Sequence, residues 1–494
     1  MKIAIIGAGT AGVSVLRELV KYQEFKDLEV DIYDNPENMG QGVPFQNDSQ
    51  ELLINLPSDQ MSLNLDNPRE FYEWYEQQDD FKFEHPEFLP RFIFGHYMKS
   101  YLNQYQQTYD NINVIYKEVT EVYIDSNIGD TEINYHVCTS NDMSECKVYD
   151  VVFLAIGTLS YHDPYHLKGT KGYIQTPYPT YNTLDEVEDT DRIAIVGTGL
   201  ASLDVIRYVT AHHPNLPITV TSRSGHLPSV RGEMPDIEFE YITPEHFNRI
   251  KKDYFGNVPL QQAIDLFVKE CERFDLDLDE LVHRKQGEPI HDLTYDLDHP
   301  KEVGIFQTLL EMVKENMNWI WNSFSHQDQE KFLKEYHGIL KANSNPMPPT
   351  TAHLIIDGIH DGLIEIKKNV KDIYYDEPNS RFCIYYEEEN EKPSIFDIVI
   401  NATGAKTHLA DLDHDDQLVI NLENRQVVQS HSLGGIQIIP ETNQVISPRY
   451  GTLRRMYAFG QLTNGINQSR NGVNMIVKQA ASVVDQMFDN MRKH

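Results

Sequence analysis

MKIAIIGAGTAG, residues 1–12, opens the chain with a short apolar run and three closely spaced glycines. Residues 3–6 (IAII) have the composition of a strand that is buried on both faces of a parallel sheet. Gly7, Gly9 and Gly12 follow at G-x-G-x-x-G spacing. In that spacing the glycines provide a tight turn, room for a pyrophosphate against bare backbone, and close packing of a helix on the strand.

The residues after this turn complete a nucleotide-binding pattern. Thr10 and Ala11 begin a segment with apolar residues at helical spacing, so the free N–H groups of a helix start would face the phosphates. A second strand is predicted over residues 29–33, and Asp34 follows it, where a carboxylate accepts hydrogen bonds from the adenosine ribose. Strand, turn, helix and acid together predict dinucleotide binding.

Composition limits the classes of partner. The 494 residues suggest about three domains of ~150 residues each. Lys and Arg number 42 and Asp and Glu 76, a formal charge of −34, which argues against a nucleic-acid partner. No run of ~18 apolar residues is present and the N-terminus is already a core strand, so we expect a cytoplasmic protein with no membrane partner. A homo-oligomer is left open.

Cysteine and histidine usage gives no sign of a metal or redox centre. The four cysteines contain no C-x-x-C pair, which excludes a zinc ribbon and disfavours a redox-active disulfide; they are Cys138, Cys146, Cys271 and Cys383. We expect all four to be buried or incidental thiols. His162 and His166 lie on a proline-bearing stretch, and no metal site is expected there.

Two further glycine positions follow in the first third of the chain. Gly40 and Gly42 lie in residues 39–45 (MGQGVPF), which is either an ordinary loop or, as we favour, a loop along the flavin side of the cofactor. Residues 151–158 form another buried strand that ends at Gly157. This strand resembles the one that closes the first domain of flavoproteins with two dinucleotide sites.

Residues 192–204 (RIAIVGTGLASLD) repeat the opening design. Gly197 and Gly199 keep the spacing, and Ser202 takes the place of the third glycine. The partner strand at 217–221 ends in Ser222 and Arg223 with no carboxylate, a substitution that suits the ribose 2′-phosphate of NADPH. The alternative is a surface arginine on an ordinary turn; we favour NADPH over NADH.

The rest of the sequence is predicted to add a helical segment and the last strands of the two nucleotide-binding domains. Residues 243–340 are predicted to be mostly helical, an insertion that serves as a substrate lid or, alternatively, as a dimer interface. Residues 396–404 form a third buried strand, which ends at Gly404. Gly460 and Gln461 follow a last strand, and a helix beginning near Asn471 would offer its positive end to the reduced flavin.

These patterns predict an α/β fold with two nested Rossmann-like domains and a largely helical insertion. The FAD-binding domain is predicted to comprise residues 1–160 and 396–494. The NAD(P)H-binding domain comprises residues 190–240 and 350–395, and the helical insertion comprises residues 241–349.

With these motifs in place, the whole chain resembles bacterial FAD/NAD(P)-binding proteins that include an FAD-dependent urate hydroxylase and relate to N-hydroxylating flavin monooxygenases. The matching stretches are residues 7–12, 40–45, Asn55 with 61–62, 91–97, 197–204, Gly460 and Gly465. Gln461 departs from the pattern, since many flavoproteins carry Asp there. No F-x-G-x-x-x-H motif separates the two glycine turns, which disfavours a Baeyer–Villiger oxygenase.

The resemblance implies FAD and NADPH as cofactors and a small-molecule substrate. The leading hypothesis is a monooxygenase that hydroxylates a small polar or amine substrate through a flavin hydroperoxide. The alternatives are an NAD(P)H oxidase or reductase that passes electrons to another acceptor, and a non-catalytic flavin-binding redox sensor. Four side chains near the cofactor loops are weak catalytic candidates: Asn55, His96, Tyr97 and Arg231. Asn55 is also predicted to be a cofactor-binding residue.

Overall fold

The computed structural model describes residues 1–125, 133–140, 145–283, 288–387 and 392–492. In chain order the strands are β1 Lys2–Ile6, β2 Glu29–Asp34, β3 Ile112–Tyr116, β4 Glu121–Ile124, β5 Tyr135–Cys138, β6 Lys147–Tyr149, β7 Val151–Leu154, β8 Tyr173–Ile174, β9 Ile193–Val196, β10 Ile218–Thr221, β11 Ile364–Lys367, β12 Val370–Asp376, β13 Arg381–Tyr386, β14 Ser394–Phe396, β15 Ile398–Asn401, β16 Gln444–Ser447 and β17 Gly451–Ala458.

The helices, again in chain order, are α1 Thr10–Leu19, α2 Glu70–Glu76, α3 Arg91–Thr108, α4 Thr180–Thr183, α5 Leu200–His212, α6 Pro244–Asp253, α7 Leu260–Glu272, α8 Leu278–His283, α9 Pro289–Asp298, α10 Pro300–Glu315, α11 Met317–Trp321, α12 His326–Glu335, α13 His337–Asn343, α14 Pro349–His360, α15 Gln417–Asn424 and α16 Val473–Arg492. Within the described ranges, none of these helices combines the length and the apolar character that crossing a membrane requires.

The first compact unit, unit 1, comprises Met1–Asn47, Leu56–Ser160 and Ala405–His494. Its main sheet has the order β16-β17-β7-β1-β2-β3, in which β16 alone is antiparallel to its neighbour. The chain leaves β1 toward β2 on one side, and β7 lies on the other. A topological switch point therefore lies at the carboxyl end of β1, where ligands bind in open α/β sheets.

Strand β1 is covered on both faces, as its apolar run predicts. Ile3 and Ile5 belong to the cluster that includes buried residues of α1 and α16. Ala4 and Ile6 belong to the cluster on the opposite face, together with residues of the three-stranded sheet β4-β5-β6. This alternation fixes the register of β1 and thereby the position of the glycine turn that follows it.

The second compact unit, unit 2, comprises Asp48–Asn55 and Tyr161–Gly404. Its main sheet has the order β11-β10-β9-β15-β8, with every pair parallel. This order repeats β3-β2-β1-β7-β17 of unit 1, and each unit inserts a three-stranded antiparallel sheet before the strand that returns beside its first strand. The prediction of two Rossmann-like domains in an α/β fold is confirmed.

The compact units divide the chain differently from the predicted domains, and residues 161–189, which lay in no predicted domain, belong to unit 2. Residues 48–55 belong to unit 2, although they lie within the predicted first part of the FAD domain. Strand β15 pairs with β9, so unit 1 resumes at Ala405 and not at residue 396. Helices α6 to α13 lie between residues 244 and 343. The lid and dimer-interface roles of this insertion stay predictions.

One prediction about the cysteines is wrong. Cys138, at the end of β5, forms a disulfide with Cys146, which lies just before β6. The two strands are antiparallel neighbours, so the hairpin brings together cysteines separated by eight residues. Spacing alone does not reveal this, because only the pairing of β5 with β6 places the two side chains together. Cys271 and Cys383 are free thiols.

Candidate functional site

The glycine turn of unit 1 joins β1 to α1 through direct contact between backbone groups. Gly7 has a φ of +98°, and a Cβ added there would lie 2.2 Å from the carbonyl oxygen of Ala155. A Cβ on Gly12 would lie 1.9 Å from the carbonyl oxygen of Gly7. Both positions therefore require glycine for the fold itself, whether or not a ligand is bound.

Gly9 precedes α1 in extended conformation and caps the helix without a side chain. The helix makes its first internal bond from the N–H of Val13 to the carbonyl oxygen of Gly9, at 3.0 Å. The N–H groups at the helix start, including those of Thr10 and Ala11, therefore precede the first intrahelical bond, and in this position they would face a bound phosphate. A Cβ on Gly9 would lie 3.3 Å from the Cα of Gly42.

That contact places the second glycine loop against the start of α1. Gly40 and Gly42 have φ values of +82° and +68°, and the N–H of Gly42 donates to the carbonyl oxygen of Asn38 at 2.8 Å. A Cβ on Gly40 would lie 3.3 Å from the Cα of Lys99 on α3. The close packing of this loop against Gly9 favours the cofactor-side interpretation over an ordinary surface loop.

Asp34 ties the glycine turn to the end of β2. Its Oδ2 accepts the N–H of Ala8 at 2.7 Å and its Oδ1 accepts the N–H of Asn35 at 2.8 Å. Burial raises the pKa of Asp34, and these two backbone bonds only partly oppose it. A carboxylate has about four acceptor positions. Two of them remain for ribose hydroxyls, so this residue fits the predicted role.

The carboxyl ends of β7 and β17 border open space. A Cβ on Gly157 would meet no atom within 4 Å, and a Cβ on Gly460 would meet only the carbonyl oxygen of Gly157, at 3.9 Å. Both glycines have positive φ. Gln461 is half-buried beside them. The edge of the sheet thus offers room for a flat group above bare backbone.

A buried cluster of carboxamides borders this edge and was not among the predicted site residues. Asn467 is 1% exposed, and its Nδ2 donates to Thr463 Oγ1 at 3.1 Å and to Asn443 Oδ1 at 3.3 Å. Its Oδ1 is buried and accepts no hydrogen bond within the described residues, and the same holds for Oδ1 of Asn471. Such unmatched acceptors fit a ligand with N–H or O–H donors. The density of Asn and Gln in this stretch was the available signal.

Unit 2 contains a second glycine turn between β9 and α5. Gly197 has a φ of +121°, and a Cβ there would lie 2.5 Å from the carbonyl oxygen of Ala402. Gly199 caps α5 in extended conformation, and a Cβ there would meet no atom within 4 Å. Ser202 is fully buried, and its hydroxyl donates to the carbonyl oxygen of Gly199 at 2.6 Å. The hydroxyl of Ser202 therefore has its hydrogen-bond acceptor within the first turn of α5.

Of the two predicted cofactor-binding residues that follow β10, Ser222 is hydrogen-bonded within the turn, whereas the Arg223 side chain is exposed. Ser222 Oγ lies 3.1 Å from Thr198 Oγ1 and accepts the N–H of Gly225 at 2.9 Å, so it is used by the turn. The carbonyl oxygen of Arg223 accepts the N–H of Asn369 at 3.1 Å. The Arg223 side chain is exposed, and no carboxylate of the described residues lies within ion-pair distance. Its guanidinium is the group that suits a phosphate.

Gly404 follows β15 as Gly157 follows β7. Its φ is +95°, a Cβ there would meet no atom within 4 Å, and its carbonyl oxygen accepts the N–H of His162 at 3.0 Å. The open space beside Gly199 and Gly404 lies at the carboxyl edge of the unit 2 sheet. This is the edge at which a nucleotide would bind.

Of the four catalytic candidates, Tyr97 and His96 lie on α3 of unit 1 and are structural in character. The Tyr97 hydroxyl donates to Glu70 Oε2 at 2.6 Å and accepts the N–H of Leu63 at 3.2 Å. Burial, the nearby Tyr101 and the bond to Glu70 raise the pKa of Tyr97 far above its usual value. It therefore keeps its proton at any physiological pH.

His96 packs against two phenylalanine rings. Its ring centroid lies 5.2 Å from that of Phe81 and 5.8 Å from that of Phe92. Burial, and then the charge of Lys99, lower the pKa of His96. The imidazole is therefore neutral at pH 7, and its aromatic contacts make it part of the packing around α3.

The structure brings the other two candidates together in unit 2. Arg231 donates from Nε at 3.1 Å and from Nη2 at 2.8 Å to the carbonyl oxygen of Asn55. Its Nη1 also lies 2.8 Å from the sulfur of Met234. Asn55 and Arg231 are 176 residues apart in sequence, so their pairing is not visible from sequence.

Comparison with known proteins supports a nucleotide-binding fold. Residues 4–159 match a family model described as FAD-NAD(P)-binding. A search of curated proteins gives no match. The matched residues include the first glycine turn, Asp34 and strand β7, that is, the three elements that build the candidate site at the switch point of unit 1.

Solved structures of amine hydroxylases share the fold over the full chain. Ornithine hydroxylase from Pseudomonas aeruginosa, in reduced form, is 13% identical with a TM-score of 0.59 and 99% of each chain covered. L-lysine 6-monooxygenase from Pseudomonas syringae is 12% identical with a TM-score of 0.59 and the same coverage. Ornithine N-hydroxylase from Kutzneria sp. 744, with reduced FAD, NADP⁺ and L-ornithine, is 11% identical with a TM-score of 0.57, covering 100% of this chain and 99% of that one. At these identities the similarity concerns the fold.

Proposed function

We propose that this chain is an FAD- and NADPH-dependent monooxygenase that hydroxylates a small polar substrate, with primary amines as the favoured class. The observation that carries the proposal is that the same arrangement of a glycine turn and a helix start occurs twice within a single chain. Each unit has a glycine turn, a helix start without a side-chain cap, and a strand end that borders open space. Two dinucleotides on one chain are what an enzyme needs to pass electrons from a nicotinamide to a flavin.

In unit 1 the residues fit FAD. The helix start at Thr10 would hold the pyrophosphate, and Asp34 would accept hydrogen bonds from the ribose. The Oδ1 atoms of Asn467 and Asn471 are buried and accept no hydrogen bond from the described part of the chain, so they would accept from donors of the ligand. A bound flavin supplies the redox chemistry, which is reduction by a nicotinamide followed by activation of oxygen. The protein's part is to orient the cofactor and exclude water.

In unit 2 the residues fit a pyridine nucleotide. The start of α5 behind Gly199 would hold the pyrophosphate, because no atom of the described residues lies within 4 Å of a Cβ built on Gly199. Arg223 would pair with the 2′-phosphate, since its guanidinium is exposed at the end of β10 where NAD-specific domains carry an acid. These two contacts support NADPH as the preferred reductant.

The choice of an amine as the substrate class rests on the fold shared with ornithine and lysine hydroxylases. The resemblance to the family of an FAD-dependent urate hydroxylase makes a purine the competing substrate class. The cytoplasmic location expected from the sequence also remains part of the proposal.

The test is product formation under labelled oxygen. Purified protein is supplied with NADPH, ¹⁸O₂ and one of ornithine, lysine, cadaverine or urate, and products are analysed by mass spectrometry. We expect one labelled oxygen atom in a product of an amine. NADPH consumption that yields only hydrogen peroxide with every compound would instead indicate an oxidase. Gly199→Val, which should not use NADPH, is the matched control.

A further inference from the structure

The loop formed by residues 229–233, here the anchored loop, is held by hydrogen bonds from five consecutive backbone N–H groups. They are Ser229 N to Ala342 O (2.9 Å), Val230 N to Asp296 Oδ2 (2.8 Å), Arg231 N to Met347 O (2.9 Å), Gly232 N to Gln307 Oε1 (2.9 Å) and Glu233 N to Pro300 O (2.8 Å). All five acceptors lie in or next to the helical insertion.

Gln307 on α10 is the central anchor. It is fully buried, and while its Oε1 accepts from the anchored loop, its Nε2 donates to Ser229 Oγ at 2.9 Å and to the carbonyl oxygen of Val230 at 2.7 Å. Burying a carboxamide is costly unless each polar atom finds a partner. Displacing the loop would leave these groups unpaired, so the insertion fixes the loop in one position.

The anchored loop in turn fixes a distant part of the chain. Arg231 makes two bonds to the carbonyl oxygen of Asn55, at 3.1 and 2.8 Å. The 48–55 segment is also held at Asp48, whose Oδ1 accepts the N–H of Thr180, and at Glu51, whose carbonyl oxygen accepts Arg207 Nε. Three anchors over eight residues leave the backbone of Asn55 little freedom.

The Asn55 side chain contrasts with its backbone. It is half-buried, and its carboxamide makes no hydrogen bond to any described residue. A carboxamide offers two donors and an acceptor. A side chain of this kind on a rigidly held backbone has the properties of a ligand contact, since supporting residues hold its position before the ligand binds.

The position of Asn55 identifies the ligand site. Val230 bridges Met347, which lies just before α14, and α14 leads into β11 of the unit 2 sheet. A helix that precedes a parallel strand begins near the carboxyl edge of the sheet. Arg231 and Asn55 therefore lie toward the same edge as Gly199 and Gly404, the edge at which a nucleotide binds.

We propose that Asn55 contacts the pyridine nucleotide through its carboxamide and that Arg231 is a positioning residue that acts through the backbone of Asn55. This inference rests on the proposed function for the identity of the ligand. It assigns the helical insertion a scaffolding role, because the insertion fixes Arg231 through Gln307.

A double-mutant cycle on the FAD-loaded protein tests the inference. The dissociation constant of NADP⁺ is measured by calorimetry for wild type, Asn55→Ala, Arg231→Lys and the double variant. We expect Asn55→Ala to weaken binding about 5- to 10-fold, the range of one neutral hydrogen bond. Arg231→Lys should weaken binding in the same direction, and the double variant should bind no more weakly than Asn55→Ala alone.

Two matched substitutions in unit 2 serve as controls. Asn182 is exposed on α4 and Arg381 is half-exposed beside Asp397, so Asn182→Ala and Arg381→Lys should leave NADP⁺ binding unchanged. Thermal midpoints report any loss of folding. In anaerobic flavin reduction, the Asn55 and Arg231 variants should need more NADPH while the limiting rate at saturation changes less than about twofold.

The outcomes separate this inference from the proposed function. Unchanged binding by Asn55→Ala would overturn the contact, and additive losses in the double variant would overturn the positioning role of Arg231. In both cases wild-type binding of NADP⁺ remains, so the proposed function stands. A wild-type protein that contains FAD but binds no NADP⁺ would overturn both proposals together.

Discussion

Gly199→Val separates ligand binding from folding more cleanly than Gly197→Val, the other glycine substitution in the second turn. Gly199 has φ −87° and ψ −167°, an extended conformation that β-branched residues adopt readily, and a Cβ there meets no atom within 4 Å. The variant should therefore fold normally. The entropic gain of about 0.4–1 kcal/mol from a less flexible unfolded chain is opposed by the poorer capping of α5 by valine, so the thermal midpoint should change little.

Nucleotide binding should respond in the opposite sense. The valine side chain would occupy the space before the N-terminus of α5, where N–H groups meet the pyrophosphate. Loss of two hydrogen bonds to a charged group, at about 1.5–3 kcal/mol each, weakens binding by at least about 100-fold. The assay is the concentration of NADPH that half-saturates the anaerobic bleaching rate, with the thermal midpoint of the same preparation.

Gly197→Val is the contrasting variant. Its Cβ would lie 2.5 Å from the carbonyl oxygen of Ala402, and its φ of +121° strains any residue with a side chain. This variant should lose stability as well as binding. If Gly199→Val bleached with wild-type NADPH dependence, the assignment of the second glycine turn to a pyridine nucleotide would be refuted.

Three further predictions concern charge and covalent links. Arg223→Ala should raise the NADPH concentration needed for bleaching by about 10- to 150-fold and leave NADH nearly unchanged, and equal losses for both nucleotides would contradict a 2′-phosphate contact. Burial raises the pKa of Asp34, so its ionised form destabilises the ligand-free fold, and this cost is relieved as the pH falls through the raised pKa. Asp34→Asn removes this pH dependence but has a single acceptor oxygen, so one of the N–H groups of Ala8 and Asn35 loses its partner. Wild type should therefore gain stability relative to Asp34→Asn as the pH falls through the raised pKa, while FAD binds the variant about 1–3 kcal/mol more weakly; equal FAD affinity would contradict the ribose role. Denatured protein should titrate two free thiols before reduction and four after it, and four before reduction would contradict the Cys138–Cys146 disulfide.

The glycine turns were predictable because their cause is local. A Cβ on Gly12 would meet the carbonyl oxygen of Gly7 five residues earlier, so the requirement for glycine is contained in one short stretch of sequence. The position of Asp34 at the end of β2 was predictable for a related reason, since a buried parallel strand needs a hydrogen-bonded neighbour and β2 pairs with β1. The spacing of the glycines and of Asp34 in the sequence therefore indicates these local structural requirements.

Long-range contacts were not predictable in this way. Residues 48–55 belong to unit 2 through Thr180, Arg207 and Arg231, which lie 132 to 176 residues away. Nothing in the composition of the segment indicates those partners.

The candidate catalytic residues were proposed because they lie near the predicted cofactor loops, and the sequence does not show which groups they contact. Tyr97 is an acid by type, but its hydroxyl is held by Glu70. The carboxamide cluster at Asn467 was visible only as an excess of Asn and Gln, because its significance depends on burial.

The central claim, that one chain holds both a flavin and the nicotinamide that reduces it, is tested most directly by an anaerobic titration of the purified protein with NADPH. The account predicts yellow protein with tightly bound, non-covalent FAD. Its visible absorbance should be lost with one equivalent of NADPH per flavin. Protein that contains FAD but keeps its full absorbance in excess NADPH and in excess NADH would contradict the account.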